Sequence, residues 1–79
     1  MATLRLFASV REAAGGERSI TIDGSTVGEV VDAACDTFGE HFSALIPTCK
    51  TWVNGEPAER DTVVTDSDEV AILPPVSGG

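Results

Sequence analysis

One segment of this chain constrains the rest more than any other. Val27, Val30, Val31, Ala34 and Phe38 recur at intervals of three and four, which puts them on one stripe of a helix. Glu29, Asp32, Asp36 and Glu40 fall on or near the polar side. Thr26-Val27-Gly28-Glu29 fits a capping box, in which the threonine hydroxyl and the glutamate carboxylate each satisfy a backbone N–H left over by the first turn. Gly39 stands near the far end, where a left-handed residue is often needed. A helix with a single apolar stripe cannot bury it alone and must lie across another element. In a chain of 79 residues, which buries only about 60% of the surface its unfolded form exposes, that element is one sheet.

The remaining segments supply the sheet. Residues 2–8 alternate, with Leu4, Leu6 and Ala8 on one face and Thr3, Arg5 and Phe7 on the other, which predicts a strand. Gly15-Gly16 marks a turn, and residues 18–23 alternate again with Ile20 and Ile22 on one face. These two strands read as a hairpin with a long loop. Residues 41–47 form a connecting segment with room for one helical turn. Residues 50–54 predict a short strand running into the turn signal Asn54-Gly55. One or two short extended pieces come next around Val63-Val64, then a turn at Asp66-Ser67-Asp68 and a last strand over residues 69–73. The first and last strands are the most apolar, so they are expected to lie centrally and pair in parallel. This order describes an α+β protein of the β-grasp, ubiquitin-like architecture: a mixed sheet crossed by one main helix over residues 1–73, with residues 74–79 as a flexible tail.

Composition removes several classes of function. The chain carries 5 basic and 13 acidic residues, a net charge of −8, and Arg5, Arg11, Arg18, Lys50 and Arg60 are scattered. Phosphate binding by counterion release needs clustered cations, so neither nucleic acid nor a membrane is expected as a partner. Two readings of the charge stay open: self-repulsion that keeps copies apart, or steering toward a basic docking surface on a protein partner. No stretch approaches the length of a membrane span and no secretory signal precedes the first strand, so a cytoplasmic location is expected. Cys35 and Cys49 lack C-x-x-C spacing; one disulfide is open to them, but free thiols packed as small hydrophobes are the expectation. His41 is the lone histidine and provides neither an acid–base pair nor a metal cluster. No metal, no bound cofactor and no catalysis by the isolated chain are expected.

The C-terminal residues stand apart. Pro74 and Pro75 cannot continue a hydrogen-bonded ladder and hold the chain extended, and Val76, Ser77, Gly78 and Gly79 complete the tail. Without side chains, Gly78 and Gly79 let a partner enclose the backbone in a narrow channel and reach a terminal carboxylate. Frayed ends are common, but two terminal glycines arise by chance in only about one chain in 200.

On these residues the chain resembles the MoaD/ThiS family of sulfur carriers, and within it the small subunits of molybdopterin synthase. The resemblance runs end to end. It is sharpest at Leu6-Phe7-Ala8-Ser9-Val10-Arg11-Glu12, at Val53-Asn54 and over the run from Asp68 through Leu73-Pro74-Pro75-Val76-Ser77-Gly78-Gly79. It implies that an E1-like enzyme uses ATP to adenylate the carboxylate of Gly79, and that a sulfur donor then replaces the adenylate to leave a thiocarboxylate. It further implies that the tail enters the large subunit of molybdopterin synthase, where the sulfur passes to a pterin precursor. The same tail chemistry would serve a sister carrier for thiamine, cysteine or a specialised metabolite. A ubiquitin-like modifier joined to lysines through Gly79, and a plain interaction module, are the other readings.

Alternation also suggests where partners dock. If Leu4, Leu6, Val70 and Ile72 face the helix, Phe7 and Leu73 project from the opposite face, and relatives use the matching positions for docking. Pro57 is a third candidate, standing where relatives commonly carry a larger aliphatic residue. Trp52 is a weaker one, since a lone tryptophan is more often buried.

Overall fold

The computed structural model describes residues 1–75. Its elements run β1 (Ala2–Leu6), α1 (Ala8–Ala13), β2 (Ser19–Ile22), α2 (Val27–Phe38), α3 (Glu40–Leu45), a 3₁₀ turn (Ile46–Thr48), β3 (Lys50–Val53), β4 (Glu56–Pro57) and β5 (Glu69–Leu73). The sheet has the order β2-β1-β5-β3-β4, so the last strand lies at its centre. β1 and β5 pair in parallel with Leu4 opposite Val70 and Leu6 opposite Ile72, and every other pairing is antiparallel. This is the mixed β-grasp sheet that the strand pattern predicts.

Helix α2 covers one face of the sheet. Val27, Val30, Val31 and Ala34 are buried with Leu4, Leu6, Ile22, Val70 and Ile72, and every buried residue with a side chain in the described core is apolar. Each fully buried Val, Leu or Ile side chain contributes about 1.5–3 kcal/mol, so this one interface dominates stability. The cap forms as the sequence requires, with the Glu29 N–H donating to Thr26 Oγ1 at 3.2 Å. The Glu29 carboxylate reaches one residue further out than a standard box and accepts from the Ser25 N–H at 2.9 Å. The N–H groups of Val27 and Gly28 donate to the carbonyls of Thr62 and Arg60, so the segment after β4 straps the helix start. Gly28 permits this approach: a Cβ there would lie 3.1 Å from the Arg60 carbonyl oxygen.

Four local expectations are corrected. The first strand stops at Leu6 rather than continuing to residue 8, and Ala8 is exposed instead of sharing the face of Leu4 and Leu6. The chain beyond it is not an open loop but helix α1, whose Val10 and the capping Ala14, four apart, are both buried. Alanine-rich Ala8-Ser9-Val10-Arg11-Glu12-Ala13 favours that helix, and the brief alternation through Ala8 is not a strand signal. The connecting segment holds helix α3 and a 3₁₀ turn, and it places Phe42 fully inside the core. Phe38 and Ile20, expected in the core, are only partly buried; Phe38 leans on Phe42 with ring centroids 5.1 Å apart. Three α-helices are therefore present among the described residues, α2 with its 12 residues being the main one.

Gly39 takes a φ of 93°, which a residue with a side chain would adopt only under strain, and it lets α3 turn away from the end of α2. Asn54 and Gly55 both have positive φ and close the hairpin from β3 to β4. Cys35 and Cys49 are free thiols. Among the described residues, no helix is long and apolar enough to cross a membrane.

Candidate functional site

Among the described residues, no helix covers the face of the sheet away from α2, and the pairing register sets which side chains lie on it. Arg5 lies opposite Ala71, Ala71 opposite Trp52 and Trp52 opposite Pro57, forming one row across four strands. In the next row Lys50 lies opposite Leu73, and Phe7, one residue past the Leu6–Ile72 pair, comes beside Leu73. The three residues expected to dock a partner therefore share this face. Phe7 and Leu73 are half-buried and adjacent, whereas Pro57 is exposed on the outermost strand, separated from them by Trp52 and Lys50.

The face has its own chemistry. The Arg5 guanidinium stacks 5.6 Å from the centre of the Phe7 ring and pairs with Glu69 at 3.6 Å, which orients the phenylalanine edge of the patch. Beside it, a groove of about 280 Å³ is lined by Thr48, Lys50, Trp52, Leu73, Pro74 and Pro75. Leu73, Pro74 and Pro75 form its wall where the chain leaves β5, so the root of the tail and the apolar patch make one continuous surface. Trp52 lies at the centre of this surface and Lys50 borders it. Their signal in the sequence was positional: in a strand, residues two apart share a face, and the register with Leu73 and Ala71 selects which one. Val76, Ser77, Gly78 and Gly79 of the tail lie outside the described residues.

The rest of the described chain offers no reactive centre of comparable definition. A larger hollow of about 400 Å³ runs along β3 past Cys49, Ala58 and Arg60. Burial pushes the Cys49 thiol above its ordinary pKa, against a lesser opposing contribution from Thr48, and Sγ donates to the Leu45 carbonyl at 3.2 Å. A protonated, hydrogen-bonded thiol is a poor nucleophile. Arg60 is held by Asp32 at 2.9 Å, and among the described residues no group of three or more His, Cys, Asp or Glu is placed to hold a metal. His41 is exposed on α3.

The β-grasp sheet, with one face left open by the described residues, gives the chain the ubiquitin-like architecture. The model of the ThiS family matches residues 4–79, and the chain belongs to that family. Among solved structures, a chain of the Amycolatopsis orientalis BexX/CysO complex superposes with a TM-score of 0.84 at 27% identity, over 100% of both chains. The small archaeal modifier protein 1 of Methanosarcina acetivorans gives a TM-score of 0.88 at 29% identity, over 99% of this chain and 95% of that one. A chain in the complex of subunits 1 and 2 of the Helicobacter pylori molybdopterin-converting factor gives 0.72 at 23% identity, over 99% and 97%, a likeness of fold. A comparison with curated protein sequences gives no match. The chain is thus a ThiS/MoaD-type protein, in a family whose small members carry sulfur or act as modifiers and are not themselves catalysts.

Proposed function

We propose that this chain carries sulfur on the carboxylate of Gly79 and delivers it, docked through the open face of its sheet, to the pterin precursor of the molybdenum cofactor. The observation that carries the reading is the family match reaching residue 79 together with a groove and apolar patch at the root of the tail.

The chemistry follows from the weakness of a carboxylate as an electrophile. An E1-like adenylating enzyme binds ATP, and a Gly79 carboxylate oxygen attacks the α-phosphorus to release pyrophosphate. A sulfide ion then attacks the acyl carbon, and the C–O bond to the phosphate breaks to expel AMP. The product is a thiocarboxylate, ionised at neutral pH and softer as a nucleophile than the carboxylate it replaces. The chain's own contribution is to dock and to present. Phe7, Leu73 and Pro57 supply the contact, Pro74 and Pro75 keep the tail extended from β5, and Val76, Ser77, Gly78 and Gly79 thread a channel that admits no bulk at Gly78. The large subunit of molybdopterin synthase is the second partner in this scheme, and cytoplasm is the compartment in which both partners work.

Incubation with the activating enzyme, ATP and sulfide should raise the intact mass by the difference between one sulfur and one oxygen. Addition of the large subunit and pterin precursor should then return the original mass. A charged carrier that keeps its sulfur in their presence would exclude the pterin as acceptor. The likeness to a chain of the BexX/CysO complex favours a second reading in that event, a carrier serving a different partner protein. Isopeptide adducts on lysines without thiocarboxylate would instead favour the modifier reading that the archaeal likeness suggests.

A further inference from the structure

The chain is strongly acidic, yet the face from which its tail emerges is not. The strand side chains pointing away from α2 include two cations, Arg5 and Lys50, and one carboxylate, Glu69. Arg5 is neutralised by Glu69 at 3.6 Å and leans over Phe7. Among the described residues Arg60 is likewise spent on Asp32, while no carboxylate lies within ion-pairing distance of Lys50. Lys50 is also the chain's one lysine. It is exposed, opens β3 opposite Leu73, and stands at the groove whose walls are Trp52, Leu73, Pro74 and Pro75. An ammonium at the mouth of an apolar groove, on a protein of net charge −8, is the local reverse of the field around it.

We propose that the Lys50–Trp52 groove selects a partner protein that inserts one large apolar side chain and sets a carboxylate beside it to pair with Lys50. This rests on the carrier reading for the existence of a docking partner and adds the chemistry that the partner must show. The apolar side chain fills the space between Trp52 and the two prolines, where desolvation raises the strength of the neighbouring ion pair. The carboxylate discriminates: a wholly basic partner surface, drawn by the net charge alone, places a cation against Lys50 and is rejected at this face. Long-range steering by the acidic remainder of the chain and short-range selection at Lys50 thus favour different features of one partner.

The test uses the full-length chain and the E1-like enzyme of the same organism, titrated calorimetrically at low and high salt, with wild type, Lys50→Met and Lys50→Glu. Lys50→Met keeps the apolar stem and removes the charge, and being exposed it should leave the melting temperature unchanged. Binding should weaken at least about fivefold for Lys50→Met and about fiftyfold for Lys50→Glu, with the salt dependence of the wild type reduced in Lys50→Met. At saturating enzyme Lys50→Met should gain sulfur at the wild-type rate, so that KM moves and kcat does not. Intact mass on the same samples reads the carrier chemistry apart from docking. Equal affinities for wild type, Lys50→Met and Lys50→Glu overturn the proposal whatever the mass shows, and tighter binding by Lys50→Glu overturns it in favour of a basic contact.

Discussion

The two faces of this sheet are built from the same five strands and share almost nothing else. Toward α2 the strands present Leu4, Leu6, Ile22, Val70 and Ile72, all buried. Away from it they present Arg5, Ser19, Lys50, Trp52, Pro57, Glu69, Ala71 and Leu73, a mixture that no element among the described residues covers. One face is chosen to be dry and the other to be met. In a domain this small, whose single core supplies only a few kcal/mol of net stability, the helix-side residues have no latitude. The open face can therefore vary with its partner at little cost to folding.

The largest expected effect breaks the covered face. Val31 is buried on the stripe of α2, and Val31→Asp loses its burial and places an unpaired charge in the core. Destabilisation of about 5 kcal/mol is expected, enough to unfold the chain, read by urea titration of far-UV circular dichroism. Retention of a cooperative transition near the wild-type midpoint would mean that α2 is not what holds the sheet. The next effect belongs to the open face. Phe7→Ala should cost about 2 kcal/mol in affinity for the activating enzyme and under about 1 kcal/mol in stability. The reverse ordering would make Phe7 a core residue and dissolve the contrast between the faces.

A smaller effect sharpens the comparison at its hinge. Thr26→Ala removes the acceptor of the Glu29 N–H and should cost about 1 kcal/mol, with docking unchanged. The smallest concerns Asp68, at the turn into β5. Its carboxylate accepts from Asn54 Nδ2 at 2.9 Å and from the Thr65 N–H at 2.8 Å, which together hold its pKa below the ordinary value. A depressed carboxylate stabilises the fold above its unfolded pKa of about 3.9 and loses that contribution as pH falls through the folded value. Asp68→Asn should therefore flatten the fall of melting temperature below about pH 4 and leave the curve unchanged in shape near neutrality. Because Asp68 is solvated, the difference is expected to be slight, and it should be equal for free and docked chain.

The covered face was the more legible of the two because periodicity encodes burial directly. The stripe from Val27 to Ala34, the capping threonine and the parallel pairing of β1 with β5 all follow from spacing and apolar runs. Helices α1 and α3 do not, since six residues carry less than two turns of periodic signal and their burial is decided by what lies above them. Phe42 shows the consequence: nothing in its neighbourhood marks it as core, and only the fold of α3 back onto α2 makes it so. On the open face, alternation puts Phe7 and Leu73 on one side of the sheet but does not by itself set Trp52 beside them. The position of Trp52 depends on a cross-strand register with Ala71 and Pro57 that single-strand patterns do not contain. The contribution of Lys50 is a matter of which carboxylates are absent from its surroundings, visible only in three dimensions.

The division between a face that folds and a face that delivers requires that sulfur chemistry depend on the free carboxylate of Gly79 and on nothing in the core. A variant with one residue added after Gly79 tests this most directly. Its melting temperature should match the wild type, and after incubation with activating enzyme, ATP and sulfide its intact mass should not change while the wild type gains sulfur in place of oxygen. Full conversion of the extended chain would contradict the account.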